Sequence, residues 1–301
     1  MQSEYAAEKR REYEENGFTI FRNVIDPDLL AEANRHLEFL AQRFPDLRPE
    51  HYHHPLMRDD AFWVRLTTDP RLLDIAEIFI GPDIACFTSH YICKPPNTGQ
   101  AVLPHQDGAY WKLDTMNAVT LWLAVDASTP ENGCLKMYPS TTRLPLQTPK
   151  IRDDIPNMLY SEVALELDEE EAVDIVLNPG DVSVHNPLIV HGSKPNTSDK
   201  RRCGLDMAFI PTTTRVLAKG VYMNPLLVRG EAVDGVNQYR LWPEYNPSTS
   251  MPFAGCETWN AEIVERNRAL ARTNARSSVE PSVLELTEHM ISRLRDGSTT
   301  A

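Results

Sequence analysis

No stretch of the 301 residues approaches the ~20 consecutive apolar positions a membrane-spanning helix needs, so a soluble chain is expected and no membrane partner. Cysteine is scarce. Cys86, Cys93, Cys134, Cys203 and Cys256 are odd in number and never closely spaced, which argues against both a disulfide framework and a structural zinc site. Basic residues are in deficit, 30 against 43 acidic, and a net charge of −13 disfavours nucleic acid or an anionic membrane as a non-specific partner. The opening Met1-Gln2-Ser3-Glu4-Tyr5 carries neither the basic nor the apolar part of a secretion signal, and reduced thiols fit a cytoplasmic location. Internal repeats are lacking too. What is present is a 42% hydrophobic composition, enough for a real core. One domain over 1–301 is expected, with a small molecule as partner.

Taken in order, residues 3 to 15 read as a solvated helix ending at Asn16-Gly17, and Phe18-Thr19-Ile20-Phe21 as a first strand. Asp26-Pro27 opens a helix with apolar Leu29, Leu30, Ala33, Leu37 and Leu40. His51-Tyr52-His53-His54-Pro55 packs three imidazoles together, but adjacent histidines converge poorly on one ion, and an exposed loop or pocket rim is expected. Arg71 to Ile80 is a short amphipathic helix. Strands then crowd the middle: Ile84 to Cys93, a strand at His105, Val119 to Val125, Cys134 to Tyr138 after an Asn132-Gly133 hairpin signal, one at His191, and Arg202 to Ile210. The acidic stretch 153–174 reads as a solvated excursion outside the core. From Pro211 to Gly255 the chain reads as irregular, followed by helices near Thr258 to Arg272 and Pro281 to Arg295. The fold class expected is mainly β with flanking helices, a small antiparallel barrel or jelly roll. Its parts are a helical region to about 80, a β core over about 84–215 and an irregular and helical remainder over about 216–301.

The stretch Pro104-His105-Gln106-Asp107-Gly108 and the distant His191 form a His-x-Asp…His pattern. If His105 and Asp107 share a strand, they point to the same side and can reach one metal together, while a second strand delivers His191. Two imidazoles and a carboxylate on one face of an octahedral ion leave three positions open, the arrangement of a non-heme Fe(II) oxygenase. Gln106 then points away and takes no role. His185 could share the face of His191, but Pro187 interrupts the strand, and a packed or hydrogen-bonded histidine is expected.

Around this pattern lie Lys94-Pro95-Pro96, Glu131-Asn132-Gly133-Cys134, Pro179-Gly180-Asp181 and His191-Gly192-Ser193 with Arg202. Together, over roughly residues 15 to 215, they resemble the phytanoyl-CoA dioxygenase family of Fe(II)/2-oxoglutarate oxygenases. The resemblance implies a double-stranded β-helix of the jelly-roll or cupin-like kind, with Fe(II) held by His105, Asp107 and His191 in the barrel mouth. It implies 2-oxoglutarate as cosubstrate, decarboxylated to succinate and CO2 as O2 is consumed. By resemblance Arg202 takes the distal carboxylate, a planar fork suited to two hydrogen bonds. Arg202 is expected on the strand after His191, paired back beside the metal, with Arg201 facing the other way. Ser193 adds a hydroxyl, Lys94 matches a lysine near the cosubstrate, and Trp122 matches an aromatic lining its pocket.

The implied reaction is hydroxylation of a small-molecule metabolite, with desaturation, epoxidation or cyclisation as same-fold alternatives. A non-catalytic cupin-like metal or ligand barrel and a zinc-dependent hydrolase on the same residues stay open. Arg58, Arg65, Lys112 and Arg143 are scattered and do not indicate a platform for a CoA ester. A free metabolite is expected, in a pocket closed by residues about 45–60 and by the stretch after Ile210.

Overall fold

The computed structural model of the chain describes residues 3–53, 59–217 and 224–273. Its helices are α1 (Ser3–Asn16), α2 (Pro27–Arg43), α3 (Ala61–Thr67), α4 (Pro70–Ile80) and α5 (Cys256–Thr273). The Asp26 carboxylate accepts from the Leu29 N–H at 2.9 Å, and Pro27 sits where no backbone donor is needed, so α2 starts where the sequence places it. Its apolar residues Leu29, Leu30, Ala33, Leu37 and Leu40 are buried. The expected helix Pro281 to Arg295 lies outside the described residues.

Two antiparallel sheets carry the rest. The larger runs β1 (Phe18–Phe21), β10 (Val182–His185), β5 (Val119–Ala124), β12 (Arg202–Pro211), β3 (Ile84–Lys94) and β13 (Leu226–Arg229) in that order, with β2 (Tyr52–His53) also on β3. The smaller is β4 (Val102–His105), β11 (Val190–Ser193), β6 (Leu135–Tyr138) and β9 (Val173–Ile175), and β7 (Pro149–Ile151) pairs β8 (Ser161–Val163) apart from both. This is the double-stranded β-helix expected, except that the two sheets are not closed by pairing into a barrel. Alternation along the strands of the larger sheet separates two sides. Tyr91, Cys93, Leu121, Leu123, Val182, Val184, Leu205 and Met207 lie in one apolar core with residues of α2, α3, α4 and α5, and α4 packs across β3, β5 and β12. The other side carries Lys94, Trp122, His185 and Arg202.

Several local expectations are corrected. Asn132-Gly133 is not a hairpin turn but the step from the larger sheet to the smaller. Asn132 closes a one-turn 3-10 helix, its side chain bonded to Thr129 N and Ala127 O, and Gly133 follows at φ 77°. A Cβ there would lie 2.4 Å from the Lys194 carbonyl oxygen, so the crossing needs glycine. Tyr52 and His53 are not an exposed loop: they pair with Tyr91 and His90 of β3, with Tyr52 fully buried. His54 and Pro55 lie outside the described residues. The acidic stretch 153–174 is only partly an excursion, because Ser161 and Val163 are buried in β8 and β9 joins the smaller sheet, burying Ile175. The irregular stretch contains β13, which extends the edge of β3.

Candidate metal centre

His105 ends β4 and faces His191 of β11 as a cross-strand pair, their rings 4.3 Å apart. Asp107 is not on the strand. After His105 the chain turns into a one-turn 3-10 helix, Asp107–Ala109, as Gly108 N donates to the Pro187 carbonyl. The Gln106 side chain donates to Leu188 O and accepts from Gln147 N, away from the histidines as expected. The turn folds the Asp107 carboxylate back over the imidazoles, so its Oδ1 is 3.4 Å from His105 Nε2 and 3.5 Å from His191 Nε2. Ligand atoms of the three residues all lie within 4.8 Å of one another, a spacing that could hold a metal ion.

The protonation pattern suits that use. His105 Nδ1 donates to its neighbour Leu103 O at 2.9 Å and His191 Nδ1 to Ile189 O at 3.1 Å, which leaves both Nε2 atoms as lone-pair donors pointing inward. Burial, reinforced by His105, pushes the His191 imidazole down to about 3, so it is neutral. Burial alone would raise the Asp107 carboxyl, but the imidazoles of His191, His105 and His185 overcome it and hold the group well below the usual carboxylate range. The outer oxygen Oδ2 accepts from Thr120 Oγ1 at 2.9 Å and from His185 Nε2 at 3.2 Å, freeing Oδ1 for an ion.

Beyond these residues the inner side of the larger sheet is a polar wall. Arg202 does not reach it by pairing with β11, since β12 belongs to the other sheet. It reaches it across the space between the sheets, opposite Lys94 in the β12–β3 register. Both side chains are 0% exposed. Arg202 donates to Gly133 O through Nε (3.0 Å) and Nη2 (2.6 Å), and its guanidinium carbon stands 5.4 Å from the Trp122 ring centroid. Trp122 can lie there because β12 has Gly204 diagonally across from it: a Cβ would be 2.0 Å from the indole. Lys94 Nζ donates to Ser193 Oγ at 2.7 Å and to Lys194 O at 2.6 Å. Among the described residues neither cation has a carboxylate within ion-pairing distance. Burial lowers both, Arg202 to about 10, and Lys94 well below its ordinary value with Arg202 also repelling it. A bound anion would supply the counter-charge that both buried basic groups lack. The buried Trp122 Nε1 and Ser183 Oγ also lack partners among the described residues. Arg201 faces the other way and is tied to Asp126 at 2.7 Å.

All seven residues singled out in the sequence therefore lie on the inner side of the two sheets or at their junction. Thr120 and Asp206 were not singled out, and His185 was expected only to be packed or hydrogen-bonded, whereas its bond lands on Asp107. The signal for Asp206 is its spacing of four from Arg202 on one strand, which puts both on one side.

The comparisons with known proteins agree with this geometry. The phytanoyl-CoA dioxygenase family model matches residues 13–204. The peroxisomal phytanoyl-CoA dioxygenase of Bos taurus is 27% identical over 233 residues, covering 67% of each chain. Among solved structures, the apo form of the non-heme monooxygenase ThoJ superposes with a TM-score of 0.68 at 21% identity, covering 90% of this chain and 100% of that one. The epimerase SnoN, solved with Fe3+, alpha-ketoglutarate and nogalamycin RO, gives 0.59 at 19% identity, with 77% of this chain and 96% of that one covered.

Proposed function

The chain belongs to the phytanoyl-CoA dioxygenase family, and from that premise we propose that it is a non-heme oxygenase that hydroxylates a free small-molecule metabolite, with Fe(II) and 2-oxoglutarate as its cofactors. His105 Nε2, Asp107 Oδ1 and His191 Nε2 are the iron ligands in this reading, two imidazole nitrogens and one carboxylate oxygen converging from three backbone segments. The bound iron and 2-oxoglutarate supply oxidative power, as decarboxylation to succinate and CO2 provides the two electrons that O2 reduction needs beyond those of the substrate.

The chain's own residues do the positioning. Thr120 and His185 hold Asp107 Oδ2, so the carboxylate presents one oxygen inward. Arg202 and Lys94 receive the anionic end of 2-oxoglutarate, Ser193 fixes the Lys94 ammonium, and Trp122 forms the flat side of the slot with its indole N–H unpartnered. The observation that carries the reading is the pair of buried, acid-free cations behind the three convergent metal ligands. A zinc hydrolase has no use for that pair, and a simple binding barrel no use for a dianion beside the metal.

The experiment is to add Fe(II) and 2-oxoglutarate aerobically and follow succinate. Iron-dependent succinate formation, abolished by chelation, is expected. Its absence across varied substrates would reject the oxygenase reading. Hydroxylation is tested by mass spectrometry of the substrate, which gains one oxygen atom per succinate.

A further inference from the structure

Asp206 lies in the middle of β12, paired with His90 on β3 and Trp122 on β5. It shares the side of Arg202 four residues away. It sits two residues, or about 7 Å along the strand, from the register of Ala208 and Thr120, where the Asp107 carboxylate is held. Asp206 and its neighbours His90 and Ile92 are partly exposed, while Tyr91, Cys93, Leu205 and Met207 between them are fully buried. By alternation from Arg202, the partly exposed Asp206 faces the space between the sheets.

Among the described residues the Asp206 side chain has no hydrogen bond and no ion pair. Burial, with repulsion from Asp107, raises its carboxyl well above the usual range, so the protein itself disfavours its charge and supplies no cation to compensate it. It does not serve the cosubstrate, because 2-oxoglutarate is itself a dianion. His90 strengthens the pattern. Its Nε2 donates to Glu50 O at 2.8 Å, and burial keeps the ring neutral by pushing it down to about 4, so Nδ1 is an acceptor. With a cation beside it the Asp206 carboxyl ionises, and the wall then offers two adjacent acceptors. A hydroxyl has one proton to give; a protonated primary or secondary amine has at least two, and a charge that answers the carboxylate.

We propose that Asp206, with His90 beside it, anchors the primary substrate through a protonated amine, so that this oxygenase acts on a cationic amine rather than on an acid or a CoA ester. The inference rests on the reading of the site as an Fe(II)/2-oxoglutarate centre and adds its substrate class.

The test uses the 301-residue protein loaded anaerobically with Fe(II) and 2-oxoglutarate, titrated with n-hexylammonium, 1-hexanol and hexanoate while the weak visible charge-transfer band expected of an Fe(II)–2-oxoglutarate chelate is followed. In the wild type hexylammonium is expected to perturb the band at about ten- to hundredfold lower concentration than hexanol, the range for a charge-assisted hydrogen bond, and hexanoate not at all. Asp206→Asn should remove the preference and Asp206→Lys should transfer it to hexanoate, with 2-oxoglutarate affinity within about twofold of wild type, less than one neutral hydrogen bond is worth. Three outcomes overturn the proposal: no binding of hexylammonium to the wild type, a preference that survives Asp206→Asn, or a loss of 2-oxoglutarate affinity in the variants. A wild type that shows no band with 2-oxoglutarate at all would instead reject the underlying reading of the site.

Discussion

The two sides of the larger sheet are built from the same strands and share every backbone hydrogen bond, yet they are chemically opposite. On the outer side Tyr91, Cys93, Leu121, Leu123, Val182, Val184, Leu205 and Met207 join one apolar core with the helices. On the inner side the intervening positions include Lys94, His90, Thr120, Trp122, Ser183, His185, Arg202 and Asp206, with Ile92, Ala124 and Gly204 among them. The outer side provides burial, at roughly 25 cal/mol per Å² of apolar surface removed from water. The inner side gives up part of that gain: Trp122 and Ala124 join an apolar cluster with the smaller sheet, but charged groups and donors without partners among the described residues stand beside them. Stability and chemistry are thus assigned to alternate residues, and single substitutions should separate them.

The largest expected effect is on the inner side. His105→Ala, Asp107→Ala and His191→Ala should each abolish succinate production, while the thermal midpoint measured without metal stays near that of the wild type. Near-normal succinate from any one of them would remove that residue from the ligand set. On the outer side the reverse is expected: Leu205→Ala should cost about 2–5 kcal/mol by denaturant unfolding. Its folded fraction should still bind 2-oxoglutarate at wild-type affinity, and weakened binding there would mean that the sides are not independent.

Next in size is Arg202→Lys, which keeps the charge and loses the fork. Affinity for 2-oxoglutarate should fall about ten- to hundredfold, measured by titration of the Fe(II) protein. Arg201→Ala, one residue away and tied to Asp126 on the other side, should leave that affinity alone. The smallest effect expected is from Thr120→Val, which removes one hydrogen bond to Asp107 Oδ2 without changing shape much. Fe(II) affinity should drop by about tenfold, the lower end for loss of a bond that orients a metal ligand. No change would leave His185 as the sole holder of that oxygen.

Much of this was legible in the sequence because alternation is a local property. The run Arg202-Cys203-Gly204-Leu205-Asp206-Met207 shows its two sides by period alone. What was not legible depends on which strand pairs with which. Asp107 was expected on a strand with His105, but the backbone turns there to bond Pro187, and the same convergence is reached by a turn. Arg202 was expected beside His191 by direct pairing, whereas the two strands lie in different sheets and meet across the interior. His185 looked isolated by Pro187, but β10 ends at His185 itself, with the ring already aimed at Asp107. Family motifs named Asp107 and Arg202, whereas local geometry placed them on the wrong strand or in the wrong pairing.

The most direct test of the account is an anaerobic titration of the Fe(II)-loaded protein with 2-oxoglutarate, followed in the visible region. The account predicts a weak charge-transfer band that saturates, reached only at higher 2-oxoglutarate in Arg202→Lys and absent in Asp107→Ala. A wild-type protein that binds Fe(II) but gives no band at any 2-oxoglutarate concentration would contradict it.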